Sequence, residues 1–192
     1  IGFWTARRCA EEGATVLLSD LHERRLAQSA EELEKLVGTR PATCLCDVTN
    51  AEQVEALART AIAKLGAVDV LVNNAGLGGH AHVVDMTDEQ WETVLDVTLN
   101  GTFRVTRAFL PHMIERGTGH IVNVGSMAGL YPLSSAVYGA SKGALHVLSM
   151  DLRLELQGTG IRVTEICPGR VRTEFYDAAL DHPKERQRAK DS

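Results

Sequence analysis

The chain has 192 residues, 44% apolar and 23% charged, which is enough for one domain with a substantial buried core. A formal net charge of -5 gives no electrostatic pull toward nucleic acid or an anionic membrane surface. No apolar run approaches the ~18 residues of a membrane span. No basic segment followed by an apolar one opens the chain, so no signal peptide is visible, and a sequence starting at Ile1 leaves open what precedes it.

The pattern alternates between helical and strand-like segments. Residues 3–12 read as a helix closed by Gly13. Ala14–Asp20, "ATVLLSD", follows as a short buried strand. Residues 22–37 carry Leu26, Ala30, Leu33 and Val37 on one helical stripe. Ala42–Val48, "ATCLCDV", is a second strand, and residues 51–65 are a helix with Val54, Leu57, Ala58, Ala61 and Leu65 inward, ended by Gly66. Ala67–Gly76 runs as a third strand into a turn. A long helix is expected over 88–116, capped by Thr87 or Asp88. A strand at 119–126, a helix at 135–157 and a strand at 161–169 complete the series, and the polar end "HPKERQRAKDS" reads as an exposed or disordered tail or a helix cut short. Apolar strands each separated by a helix mean an α/β, doubly wound parallel sheet covered on both faces, with ligands held beyond the strands' carboxyl ends.

The cysteines are Cys9, Cys44, Cys46 and Cys167. Cys44 and Cys46 share one face of a strand, but they lack the C-x-x-C loop and second ligand pair of a thiolate metal site. They are expected to be buried structural thiols, and no metal is expected. Reduced thiols fit a cytoplasmic protein.

Three groups fall at or just beyond strand ends. Ser126, Tyr138 and Lys142 lie in "GSMAGLYPLSSAVYGASKGAL". Tyr138 and Lys142 are four apart and share a helix face. A phenol needs roughly 4 kcal/mol of help to ionise near neutrality, and a neighbouring ammonium supplies part of it. Taken alone, Y-x-x-x-K is also a common surface pair. The second group is "NNAG", Asn73–Gly76, where small residues admit a ligand to the backbone; an Asx turn at a strand end reads the same way. The third is Asp20, placed to accept hydrogen bonds from an adenosine ribose, or simply a solvated turn residue.

These groups, in this order and on these elements, resemble the short-chain dehydrogenase/reductase family along the whole chain. Ile1 and Gly2 look like the tail of that family's T-G-x-x-x-G-I-G turn, which delivers pyrophosphate to a helix N-terminus. The resemblance implies a Rossmann-like single domain over residues 1–192 and an NAD(H)-dependent oxidoreductase that interconverts a secondary alcohol and a ketone. Tyr138 would be its acid/base, Lys142 would hold the nicotinamide ribose and lower the Tyr138 pKa, and Ser126 would orient the substrate oxygen. Cofactor contacts implied by the resemblance are Ile1, Gly2, Asp20, Asp47, Val48, Asn74, Ala75, Gly76, Tyr138, Lys142, Pro168, Gly169, Val171 and Thr173. NAD is expected rather than NADP, because Asp20 would repel a 2′-phosphate while neither Leu21 nor Phe3 offers a positive charge; His22 and Arg24 are the basic residues nearby. The resemblance also places a central strand before the glycine turn, between those at 14–20 and 67–72, and a further strand and helix after Ser192. The chain is therefore expected to lack those elements and, by itself, neither to fold properly nor to bind NAD.

Two departures stand out. Thr98, in "DVTLNGTF", occupies the position where the family usually has an Asn that helps hold a proton-relay water, and it is carried as a catalytic candidate. Asn100 points about 200° away at helical spacing and does not replace it. The spacing from Ser126 to Tyr138 is one residue shorter than the family usually shows. Thr98 is the one support for a different reading, a degenerate relative that binds nucleotide in a regulatory or structural role. A sugar-nucleotide epimerase also shares Y-x-x-x-K, but the single-domain length and the "NNAG" turn disfavour it.

His80 and His82 are expected in a solvated loop, and Trp91, Phe103, Phe109 and Met113 in the core or at subunit contacts. The 135–157 helix is apolar on more than one face through Val137, Ala140, Ala144, Leu145, Leu148 and Leu152, which in this family fits a homodimer or homotetramer interface. The expected partners are a small alcohol or ketone and further copies of the chain, not nucleic acid or membrane. Residues 77–84, 127–134 and the segment beyond Thr173 build the substrate pocket and do not reveal the substrate.

Overall fold

The computed structural model describes residues 1–79, 81–133 and 135–171. His80, Thr173 and the polar C-terminal segment therefore lie outside the described residues. Helix α1 spans Gly2–Glu11 and is followed by β1 (Leu17–Asp20), α2 (Glu23–Val37), β2 (Ala42–Leu45) and α3 (Ala51–Leu65). Then come β3 (Val70–Asn73), α4 (Asp88–Leu95), a π-helical turn (Asp96–Asn100), α5 (Gly101–Arg116) and β4 (Gly119–Val124). A 3₁₀ turn (Met127–Gly129), α6 (Ala136–Glu155) and β5 (Ile161–Ile166) close the described chain.

The ends of these elements follow local chemistry. Asn50 caps α3 by accepting from the Gln53 amide, and Thr87 forms a capping box with Gln90 at the start of α4. Gly38 and Gly117 end α2 and α5 in the left-handed conformation that glycine adopts without strain. Strand β2 stops at Leu45, short of the expected Val48, because Asp47 turns the chain: its carboxylate accepts from both the amide and the hydroxyl of Thr49.

The expected single helix over 88–116 is instead two helices joined by the π turn, and this is the main local correction. The turn widens the backbone at Asp96–Asn100, where Arg104 and Asn100 both donate to the Asp96 carboxylate. Single π turns inserted in α-helices are often found at functional sites.

Every strand pairing is parallel, as alternating strands and helices require. The strands form two pieces, β1–β2 and β3–β4–β5. Among the described residues β1 and β3 do not pair with each other, and this interruption is where the resemblance puts the family's first strand. The core lies between the sheet pieces and α3, α5 and α6, with Val54, Phe109, Met113, Ile121 and Leu152 all buried. Each such side chain contributes about 1.5–3 kcal/mol of transfer free energy. Phe109 and Met113 are thus core residues, whereas Trp91 and Phe103 are exposed.

Candidate active site

A continuous open space of about 2620 Å³ runs along β1 and β3, where the sheet is interrupted, and on past the carboxyl ends of the strands as a cleft. On one side lie β1 and the first turn of α1. Ile1 and Gly2 line the cleft there, and Gly2 is packed so closely that an added Cβ would sit 2.8 Å from the Asn74 side-chain nitrogen. Asp20 ends β1 and lines the same wall. It accepts from the His22 amide at 2.8 Å and from Arg25 at 2.8 and 3.0 Å through both carboxylate oxygens. Burial opposes ionisation of Asp20, but the Arg25 guanidinium and the His22 amide outweigh it and hold the carboxyl below its usual range. The cation on Asp20 is therefore Arg25, not the Arg24 or His22 that proximity in sequence suggested.

Beyond β2, Asp47 and Val48 line the cleft from the loop into α3, and Val48 packs on Gly101 so tightly that a Cβ there would approach to 2.7 Å. The loop after β3 brings Asn74, Ala75 and Gly76 to the floor. A Cβ at Gly76 would stand 3.4 Å from Lys142 Nζ and 3.8 Å from Thr98 Oγ1, so these three residues adjoin. Thr98 itself is fully buried in the π turn, does not line the cleft, and accepts from the Leu77 amide through its hydroxyl at 3.2 Å. Asn100 is exposed and tied to Asp96, so it takes no part in the site.

Asn73, next to this loop, is buried in a polar chain that sequence reasoning did not find. Its amide donates to Thr106 and Asn123; Asn123 donates to Ser149, and Ser149 donates to the Leu145 carbonyl. The chain links β3, β4, α5 and α6 with every member bonded. Its signal was Asn123 in the middle of the apolar strand "GHIVNVGS", since a buried amide needs partners.

Tyr138 and Lys142 lie one turn apart on α6, and both line the cleft with Ser126. Lys142 Nζ stands 6.0 Å from the centre of the Tyr138 ring and donates to the Val124 carbonyl at 2.7 Å. Burial lowers the Lys142 ammonium to about 8, against the charges of Glu165 and Cys167, which favour it. Ser126 accepts from the Ala128 amide and so starts the 3₁₀ turn that lies on α6. The turn comes this close because Gly129 faces the helix backbone: a Cβ there would be 2.6 Å from the Lys142 carbonyl carbon. Pro168 holds the other side of the turn, its carbonyl accepting from the Met127 amide, and Gly169 and Val171 continue along the cleft. Of the sequence-derived residues, Ser126, Tyr138, Lys142 and every cofactor candidate up to Val171 share this one cleft; Thr98 stands behind it and Thr173 lies outside the described residues.

His82 is exposed at the cleft rim. All four cysteines are free of disulfides; Cys46 is buried, and burial pushes its thiol up to about 11, as befits a structural thiol.

The model of the short chain dehydrogenase family matches residues 1–184. The chain belongs to that family. Among curated short-chain dehydrogenase relatives, the (5R,7aS)-5-hydroxy-7a-methyl-1-oxo-2,3,5,6,7,7a-hexahydro-1H-indene-carboxyl-CoA reductase of Mycobacterium tuberculosis is 44% identical over 92% of this chain and 68% of its own. The crystal structure of NAD+-bound xylitol dehydrogenase superposes with a TM-score of 0.86 at 35% identity, covering 91% of this chain and 68% of that one. A metagenomic short-chain oxidoreductase in complex with NADP gives a TM-score of 0.82 at 33% identity, covering 90% and 78%. The chain is thus an oxidoreductase of this family, with a Rossmann-like α/β fold.

Proposed function

We propose that this short-chain dehydrogenase interconverts a secondary alcohol and a ketone, or a similar carbonyl, by hydride transfer with NAD(H), using Tyr138 as the acid/base. The observation that carries the reading is the α6 face itself: Tyr138 and Lys142 one turn apart, at a cleft shared with Ser126. The cleft's donors suit a dinucleotide. The free amides and dipole of the α1 N-terminus favour a pyrophosphate, Asp20 offers acceptors to a ribose, and Gly2 and Gly76 keep the walls low where a Cβ would intrude. The nicotinamide supplies the hydride when bound.

The chain's own residues handle the proton. In reduction Tyr138 donates its hydroxyl proton to the developing alkoxide; in oxidation the phenolate accepts it. Lys142, protonated below about pH 8, favours the phenolate and offers donors to the ribose. Ser126 donates to the substrate oxygen and fixes its direction. Thr98, behind Lys142 and Gly76, keeps a hydroxyl in the proton path where the family usually has an amide.

NAD(H) rather than NADP(H) follows from the Asp20 carboxylate, although Arg25 tempers the preference. A homodimer or homotetramer fits the exposed apolar side chains of α5 and α6, among them Phe103, Val147, Met150 and Leu154. No described helix is long and apolar enough to cross a membrane. Free cysteines accord with a reducing, cytoplasmic setting.

Tyr138→Phe tests the reading because it removes the transferable proton and leaves the ring. Turnover should fall ~10²–10⁴-fold while NADH affinity holds. A folded variant that keeps more than about a tenth of the activity overturns the assignment.

A further inference from the structure

Behind Lys142, on the side of α6 that meets β5, a second cluster of chemically active side chains takes no part in the reaction above. His146 lies one turn after Lys142 on α6; Glu165 is on β5, and Cys167 is the first residue beyond that strand's end. His146 Nδ1, a Glu165 carboxylate oxygen and Cys167 Sγ all lie within 4.8 Å of one another. The Glu165 side chain is 4% exposed. One of its oxygens meets His146 at 2.6 Å, and the other, Oε1, is buried with no hydrogen-bond partner.

A carboxylate this buried ordinarily has its lone pairs filled; the groups that face this one are the His146 imidazole and the Cys167 thiol, the three side chains that one metal ion would draw together. A proton shared with His146 satisfies only half of the carboxylate. The crowding is specific to this spot: Gly125, just before Ser126, admits Glu165 only because a Cβ there would lie 2.2 Å from Oε1. His146 is 32% exposed on its side chain, which leaves a path from solvent.

We propose that His146, Glu165 and Cys167 form a zinc site with three protein ligands and a water in the fourth position. Nitrogen, oxygen and thiolate sulfur together suit a borderline-soft ion and disfavour magnesium or calcium. A tetrahedral ion with bonds of about 2.0–2.3 Å needs ligand atoms about 3.3–3.7 Å apart. To reach that geometry the short His146–Glu165 contact opens by about 1 Å, or Oε1 takes the metal instead, and Cys167 Sγ, within 4.8 Å of both, closes to the same range. Binding releases the Cys167 thiol proton and any proton on His146. Burial, the Glu165 charge and a hydrogen bond to the Glu165 carboxylate now hold that thiol up, and the ion would reverse this. The ligands come from a helix and a strand already packed together, so the site requires little rearrangement.

The test uses the full-length protein that contains this chain, tag-free and stripped with a chelator, and no turnover assay, so its outcome stands apart from the dehydrogenase reading. One equivalent of Co²⁺ should bind and give thiolate-to-metal charge-transfer absorption, which Zn²⁺ displaces. Cys167→Ser should abolish the band, and His146→Ala should weaken affinity at least ~10-fold, with far-ultraviolet circular dichroism unchanged in both. In the unmutated chain, Zn²⁺ should slow alkylation of Cys167 at least ~10-fold, the scale of a lost ligand, and leave exposed Cys9 unaffected. That second measurement needs no variant to fold. No thiolate band, a band that survives Cys167→Ser, or equal alkylation of Cys167 with and without Zn²⁺ overturns the proposal.

Discussion

Replacing Lys142 with methionine should make the protein more stable and inactive at once. Lys142 is almost wholly buried, and its pKa falls from 10.5 to about 8 because burial penalises the ammonium. That fall corresponds to about 3 kcal/mol in favour of the neutral form. Methionine matches the stem and removes the charge, but it forfeits the bond to the Val124 carbonyl, about 1–1.5 kcal/mol. The net expectation near pH 7 is a gain of about 1–2 kcal/mol. The sign depends on pH in a defined way. Below about pH 8 the lysine is charged in both the folded and unfolded chains, so the full penalty stands. Between about 8 and 10.5 the folded lysine is neutral while the unfolded one still binds a proton, so the native protein gains stability as pH rises. Urea unfolding of both proteins at pH 7 and pH 10 measures this, since titrating groups not coupled to Lys142 cancel in the difference and Cys167, which is coupled to it, can be held out by a Cys167→Ser background. The advantage of Lys142→Met should shrink or reverse at the higher pH. A variant that is less stable at pH 7, or a difference that ignores pH, refutes the reasoning.

Arg25→Ala should lower kcat/KM for NADPH about tenfold more than for NADH, the worth of a lost charge-assisted hydrogen bond, because Asp20 then faces the 2′-phosphate without its cation; equal losses with both cofactors would contradict this. Asp20→Ala should narrow the preference for NAD(H). Thr98→Asn should leave kcat unchanged or raise it, since an amide oxygen can still accept from Leu77; a large drop in steady-state turnover would mean the π turn is built around threonine. Gly129→Ala pushes a Cβ into the Lys142 backbone, so thermal unfolding should register a loss of about 1–3 kcal/mol, and kcat should fall more than NADH affinity. Full activity with an unchanged melting temperature would show that the 3₁₀ turn has room to spare.

Most of the fold was legible because each element carries its own pattern. The stripe of Leu26, Ala30 and Leu33 is buried as its spacing requires, and glycines end α2, α3 and α5 where a positive φ is needed. Ser126, Tyr138 and Lys142 were legible for a different reason: two sit one helical turn apart, and the third ends the strand just before. What escaped was long-range or depended on backbone detail. Asn73 and Asn123 are 50 residues apart and meet only once β3 and β4 pair in register. His146 and Glu165 are 19 apart, on elements whose contact no local periodicity announces. Arg25 was within reach of sequence reasoning, since the first turn of α2 must fold back over the end of β1, but Arg24 was as good a choice until the helix phase was known. The π turn has no signature in the 88–116 pattern because its apolar residues continue the helical stripe on both sides.

The distribution of unfavourable groups explains where this chain spends stability. Among the described residues the apolar core cluster holds no unpaired buried side-chain polar atom, and each member of the Asn73–Asn123–Ser149 chain inside it is hydrogen-bonded. A satisfied network of this kind fixes one arrangement of β3, β4, α5 and α6, because shifting any one element by a residue breaks the bond it makes to its neighbour in the chain. The groups that carry a penalty lie immediately beyond it. Lys142 is a buried cation one residue past Ser141 on α6, and it donates to the carbonyl of Val124, next to Asn123. Thr98 sits in a widened turn, and Glu165 holds an oxygen with nothing to accept from. On the proposed reading, an ammonium whose pKa is lowered to about 8 assists the neighbouring phenol only while it is held beside it and does not swing out to water. The bonded amide chain beside it, through Asn123 and Ser149, fixes the strand whose Val124 carbonyl Lys142 holds.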